Sequence, residues 1–163
     1  MDQILPFVAA LVVATLAVCT DIKCRLVPNL LTFPAMALGL VLHSVTSGWD
    51  GLGFASLGLV AGLGLHLLPF LLGRMGAGDV KLLAALGAFL GPSLALWTAL
   101  YAALFGGVWA LVLIVRTLGW APVYLALSGS WKALVTASAG VRGTAFPYAA
   151  ALWLGVVAAY AMR

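Results

Sequence analysis

The sequence predicts an all-α polytopic membrane protein, a bundle of about six transmembrane helices that forms a single membrane-embedded domain over residues 1–163. Of these 163 residues, 65% are hydrophobic and only 7% are charged. Soluble domains carry roughly 25% charged residues, so the few charges here cannot cover the surface of a soluble globule. The apolar surplus must therefore face lipid.

Six apolar runs predict the membrane spans, and turn or charge signals separate them. The runs cover residues 4–20, 29–46, 52–73, 80–91, 93–115 and 143–162. The pair Gly91-Pro92 divides a run that is too long for one crossing. The fourth run would form at most about 18 Å of helix, which is shorter than a hydrocarbon core of about 30 Å. We therefore expect this run to be tilted, to cross a thin region, or to lie beside a cavity. In the third run, Gly58 and Gly62 form a small-xxx-small pattern that predicts close helix packing.

The basic residues predict the orientation of the chain. Seven of the eight lie in the first, third and fifth loops, namely Lys23, Arg25, Arg74, Lys81, Arg116, Lys132 and Arg142. By the positive-inside rule, these loops are cytoplasmic and both termini are outside. The scattered placement favours contact with membrane lipid over binding of nucleic acid. Residues 117–142 are predicted to lie along the cytoplasmic face, with a re-entrant segment as the alternative.

Two of the four acidic residues are candidates for chemistry. Asp2 and Asp50 belong to the predicted outer side and are interpreted as solvated loop charges. Asp21 ends the first span and Asp79 opens the fourth, so both are predicted at the cytoplasmic end of the bundle although 58 residues separate them. Ionisable groups beside apolar spans are costly and are functional candidates by default.

Two neighbouring carboxyl groups favour hydrolysis of an amide bond. They share one proton, so the ionised group can take a proton from water while the protonated group donates a hydrogen bond to the scissile carbonyl. This chemistry needs no metal and no cofactor. His43 and His66 are predicted to lie toward the outer half, away from the aspartates, which argues against a serine–histidine pair or a histidine-rich metal site. Cys19 and Cys24 do not form a C-x-x-C motif, so a zinc site or a disulfide framework is unsupported.

Asp79 ends a glycine-rich segment, Gly76-Ala77-Gly78-Asp79. The glycines allow unusual backbone dihedrals or close approach of a substrate backbone. Asp79 is then expected at the N-terminus of a helix, where the helix dipole favours its anionic form. The simpler alternative is a flexible turn with an aspartate as the helix cap.

Two signatures together resemble those of prepilin peptidases, the membrane aspartic peptidases that process type IV pilin-like precursors. The first is the stretch from Asp21 to Asn29, Asp-Ile-Lys-Cys-Arg-Leu-Val-Pro-Asn, followed by an apolar span. The second is the stretch from Gly76 to Lys81, Gly-Ala-Gly-Asp-Val-Lys. Pro147-Tyr148-Ala149 also resembles the start of the family's final helix. The pair of signatures is specific, whereas either one alone is not.

This resemblance implies an intramembrane endopeptidase of the bacterial cytoplasmic membrane, with its active site at the cytoplasmic face and pilin-like precursors as partners. Asp21 and Asp79 carry over as the catalytic pair, and Gly76 and Gly78 as residues that shape the loop. Three basic residues match the pattern and are interpreted as contacts to substrate or lipid head groups: Lys23, Arg25 and Lys81. Pro28 is expected to break the chain before the second span, and Asn29 to cap that span.

The chain departs from the larger family members in its first loop. Those proteins carry a cytoplasmic domain there with two C-x-x-C pairs, which they use in methylating the new N-terminus. Here Asp21 follows the first span directly, and those cysteines are absent. The chain is similar to the short peptidases of tight-adherence pilus systems and to archaeal preflagellin peptidases, so we expect it not to transfer methyl groups.

Two other functions stay open from the residues alone. Paired acids on helices also serve as ion relays, so a small proton-coupled transporter or channel is the alternative from a different class. Peptidases akin to signal-peptide peptidase and presenilin share Gly-x-Gly-Asp. They place the first aspartate in a tyrosine–aspartate pair, whereas Thr20 precedes Asp21 here.

Overall fold

The computed structural model describes residues 4–73, 75–121, 123–124 and 148–162, and 92% of these are helical. The four helices are α1 (Ile4–Cys24), α2 (Asn29–Leu71), α3 (Ala77–Leu118) and α4 (Tyr148–Ala161). The first three are long and apolar enough to cross a membrane, and α4 is a shorter apolar helix. The predicted all-α class is confirmed, whereas the bundle of about six helices is not.

Each of the two longest helices contains one glycine that departs from helical geometry. Gly48 in α2 has φ 60° and ψ −136°, and Gly91 in α3 has φ 78° and ψ 175°. Glycine reaches positive φ without the steric penalty of a side chain. Pro92 follows Gly91 directly, where the first turn of a new helical stretch tolerates proline. The boundary predicted over residues 46–51 is thus a single non-helical glycine, with helix on both sides of it.

The short apolar stretch before Gly91 forms the centre of the core, because residues 82–91 are all buried. Two glycines of α2 pack directly on this stretch. A Cβ added to Gly58 would collide with the backbone of Gly87, and one added to Gly62 would lie 2.9 Å from the carbonyl carbon of Leu83. The close packing predicted for this glycine pair is confirmed. The stretch can be short because protein surrounds it instead of lipid.

Helices α1 and α4 run antiparallel, side by side. The rings of Phe7 and Tyr160 stack with centroids 3.7 Å apart, at the N-terminus of α1 and the C-terminus of α4. Midway, Trp153 Nε1 donates a hydrogen bond to Thr15 Oγ1 at 3.0 Å. This arrangement brings the N-terminus of α4 to the end of α1 that carries Asp21.

The chain divides into two compact units, one of residues 1–103 with 147–163 and the other of residues 104–146. In the second unit, the described residues include the C-terminal part of α3 and a turn at Gly119, which has φ 73°. Trp120 and Tyr124 are exposed. Of the stretch 117–142 predicted to lie along the cytoplasmic face, residues 122 and 125–142, including Lys132, lie outside the described residues.

Candidate active site

Asp21 lies in the last turn of α1, at the end of the first span, as predicted. Its side chain is partly buried. Its Oδ2 accepts a hydrogen bond from the backbone N–H of Ala149 at 3.3 Å. That N–H belongs to the first turn of α4, where helical N–H groups have no partner within the helix. The positive end of the α4 dipole therefore faces the Asp21 carboxylate.

Asp79 lies in the first turn of α3 and is also partly buried. Its backbone N–H donates to the carbonyl of Gly76 at 3.2 Å. The side chain turns back toward the same residue, so that a Cβ added to Gly76 would lie 3.3 Å from Asp79 Oδ2. The carboxyl groups of Asp79 and Asp21 are close enough to repel each other electrostatically. The fold thus brings together two acids that are distant in sequence.

The two glycines before Asp79 have a different role from the one that the sequence predicts. Neither Gly76 nor Gly78 is among the described glycines with positive φ, so neither uses the unusual dihedrals that glycine allows. Instead, Gly78 approaches the first loop: an added Cβ would lie 3.1 Å from Val27 Cβ and 3.3 Å from Val27 O. Val27 is buried. The absent side chain allows the second signature to pack on the first.

His66 lies near Asp79, so the expectation that it is away from the aspartates is wrong. It is only 5% exposed, and its Nε2 is 3.2 Å from the hydroxyl oxygen of Tyr148. The backbone of Asp79 acts electrostatically on the ring. The sequence contains the signal for this position, because His66 precedes the end of α2 at Leu71 by less than two helical turns. The same end of α2 leads into the glycine segment.

Lys81 connects the start of α3 to the start of α2. Its Nζ donates to Asn29 Oδ1 at 2.9 Å and lies 5.2 Å from the centroid of the Phe33 ring. The predicted capping by Asn29 is wrong, because Pro28 occupies the cap position and no side chain bonds the end of the helix. The Asn29 side chain is turned to Lys81 instead. Lys81 thus has a contact within the protein.

The remaining residues of the first signature point away from the core. Lys23 and Arg25 are exposed, and Arg25 has φ 51°, an uncommon value for a residue other than glycine. Cys19 and Cys24 are exposed free thiols. Within the described residues, no group of three or more histidine, cysteine or acidic side chains is placed to hold a metal ion.

The opposite ends of α1 and α4, together with residues near the breaks in α2 and α3, line a cavity of about 290 Å³. His43 lines it, and His43 Nε2 is 2.8 Å from the carbonyl oxygen of Phe89, two residues before the break at Gly91. Asp50, which also lines the cavity, is exposed and lies within α2, not in a loop. The predicted separation of His43 from the aspartates is confirmed.

A model described as the type IV leader peptidase family matches residues 8–111, which is more than half of the chain. The matched range contains Asp21, Asp79 and both sequence signatures. Searches of curated proteins and of solved structures found no significant match.

Proposed function

Because the chain belongs to the type IV leader peptidase family, we propose that it is an intramembrane aspartic endopeptidase that removes the basic leader from type IV pilin-like precursors. The observation that carries this proposal is the meeting of Asp21 and Asp79. They come from different helices, interact electrostatically and are both partly buried.

The pair can hydrolyse an amide through general acid–base chemistry. The ionised carboxylate takes a proton from water, and the resulting oxygen nucleophile forms a bond to the scissile carbonyl carbon. The protonated partner hydrogen-bonds the carbonyl oxygen and stabilises the tetrahedral intermediate. The C–N bond then breaks as the leaving nitrogen receives a proton. The two acids return to a state in which they share one proton.

The substrate and the orientation follow from the same arrangement. We propose that the carboxylate end is cytoplasmic, so that a cationic leader stays in the cytoplasm and the scissile bond lies where the substrate's apolar helix begins. The distribution of Lys and Arg over the loops supports this orientation. Labelling of substituted cysteines tests it: labelling near residue 25 from outside and near residue 48 from the cytoplasm would reverse the topology.

The alternative of a proton-coupled transporter is not favoured. Asp21 and Asp79 lie together at one end of the helices, whereas an ion relay requires ionisable groups along a path through the bilayer. The family match likewise favours a type IV leader peptidase over relatives of presenilin.

Co-expression with candidate prepilins tests the proposed function directly. We expect the wild-type chain to shorten a precursor by the length of its leader, which a gel resolves. Purified protein should keep this activity in the presence of a chelator, because a carboxylate activates the water. Loss of activity with chelator that zinc restores would contradict a mechanism with two aspartates.

A further inference from the structure

We infer that His66 and Tyr148 are positioning residues that hold Asp21 and Asp79 in their catalytic arrangement by fixing the first turn of α4 against α2 and α3. This inference rests on the proposed function. Neither residue belongs to the two signatures around the aspartates. Their role follows from contacts that link the elements carrying the two acids.

The first contact joins α4 to Asp21. Tyr148 and Ala149 are adjacent in the first turn of α4, and the Ala149 N–H donates to Asp21 Oδ2 at 3.3 Å. A main-chain donor moves only with its helix, so the direction of this bond depends on where the first turn of α4 sits. Any group that fixes Tyr148 therefore also fixes the donor to Asp21.

The second contact joins α4 to α2 and, through it, to the turn of Asp79. The Tyr148 hydroxyl and His66 Nε2 are 3.2 Å apart, and their rings meet edge to face with centroids 5.5 Å apart. The His66 ring in turn interacts with the backbone of Asp79, and the Asp79 carboxylate exerts its charge on Tyr148. His66 and Tyr148 thus connect α4, whose first turn donates to Asp21, to α2, whose end leads into the glycine segment before Asp79.

The burial of His66 indicates that the residue does more than fill space. It is 95% buried, and its Nδ1 has no hydrogen-bond partner among the described residues. Buried polar atoms without partners are uncommon and costly. The adjoining cavity of about 320 Å³ is otherwise lined by apolar side chains such as Leu65, Leu96 and Leu100, among which a leucine would pack without this penalty. A neutral imidazole has one donor and one acceptor nitrogen, so the bond to Tyr148 also sets whether Nδ1 is the donor or the acceptor.

Four variants separate positioning from packing. Tyr148→Phe removes only the hydroxyl, His66→Leu removes both ring nitrogens, and His66→Gln keeps a polar group that can reach Tyr148. The fourth variant combines Tyr148→Phe with His66→Leu. Tyr160→Phe is the matched control, because Tyr160 lies on the same helix at its other end, stacked on Phe7.

Rates are measured on the full chain in detergent with a synthetic precursor that has a basic leader, a glycine and an apolar helix. We expect Tyr148→Phe to lower kcat about 10- to 100-fold, because a misplacement near 1 Å can cost about 100-fold in rate. KM should stay within about twofold, because no contact to bound substrate is lost. Abundance and melting temperature should match those of Tyr160→Phe, which keeps the wild-type kcat.

The combined variant should be no slower than the slower single variant, because two residues that act as one unit lose their effect together. His66→Gln should retain more activity than His66→Leu. If His66→Leu does not fold, Tyr148→Phe alone decides. A wild-type kcat for Tyr148→Phe, a change in KM alone, or multiplied losses in the combined variant would overturn the inference. If the proposed function itself is wrong, the result is different: the Asp21→Asn or Asp79→Asn variant continues to cleave.

Discussion

Each end of the unit formed by residues 1–103 and 147–163 contains a histidine, a tyrosine and aspartate. At one end, Asp21 and Asp79 interact with each other while His66 pairs with Tyr148. The acids there are partly buried, and His66 is almost fully buried. At this end, the Asp21 carboxylate also accepts a hydrogen bond from the Ala149 N–H.

At the other end, the same residue types stay apart. His43 binds a main-chain carbonyl, that of Phe89, and Asp50 is exposed. Tyr160 stacks on Phe7. Residue type is therefore a weak indicator of function in this chain, since both ends contain the same types of residue. What distinguishes the first end is that acids from two helices share one partly buried location.

The largest expected effect is the loss of cleavage when either of the paired aspartates is replaced. Asp21→Asn and Asp79→Asn should each abolish precursor cleavage, because an amide keeps the shape of the carboxylate but cannot accept the proton from water. Asp50→Asn is the matched control and should cleave at the wild-type rate. Gel assays in membranes with equal protein levels measure all three. Near wild-type processing by either of the first two variants would exclude that aspartate from catalysis.

A second large effect is expected at the contact between the two signatures. Gly78→Val should slow cleavage about 100-fold, because the added side chain meets Val27 and displaces Asp79 by an amount near 1 Å. Ala77→Val is the control at the neighbouring position, which is exposed. Processing rates of both variants in the same membranes make the comparison. Equal rates would mean that the glycine segment is only a flexible turn.

A smaller effect is expected in the core that both ends share. Gly62→Ala should lower the free energy of unfolding by about 3 kcal/mol, since overpacking typically costs about 1–3 kcal/mol and here the added methyl group meets backbone. A Cβ added to Gly64 would meet no atom within 4 Å, so Gly64→Ala should be neutral or slightly stabilising. Denaturation in detergent measures both. If the cleavage rate per folded molecule changes in Gly62→Ala, packing of the core also affects the geometry of the site.

The smallest effect is expected at the end without paired acids. His43→Leu should lower the free energy of unfolding by about 1 kcal/mol, because the Phe89 carbonyl loses its hydrogen bond. Cleavage per folded molecule should not change. Thermal melting and kcat measured on one preparation give the two quantities. A large fall in kcat with unchanged stability would make the two ends functionally alike and break the comparison.

The sequence predicts those parts of the site that depend on local signals. Asp21 lies in the last turn of α1 and Asp79 in the first turn of α3, as the apolar runs and their flanking charges indicate. The breaks at Gly48 and Gly91 also fall where glycine and proline predict boundaries. Such features need only the order of residues along one helix.

Contacts between distant segments were not predictable in the same way. The partners His66 and Tyr148 are 82 residues apart, and hydropathy does not specify which faces of two apolar helices meet. For the same reason, the sequence predicts close approach of a substrate backbone at the glycines, but not that Gly78 packs on Val27. The pairing of Lys81 with Asn29 likewise depends on how two helix ends are placed side by side.

The enclosure of residues 82–91 has a consequence for how the protein is made. A stretch of this length gives roughly 15 Å of helix, which is too short to partition into the bilayer as an independent span. The depth of this stretch in the membrane must therefore be set by the helices against which it packs. We expect α2 to insert first and to present Gly58 and Gly62 as a preformed groove. Docking of this stretch would then bring Asp79 to Asp21 only after α2 is in place, so that the two acids stay apart until the core is assembled.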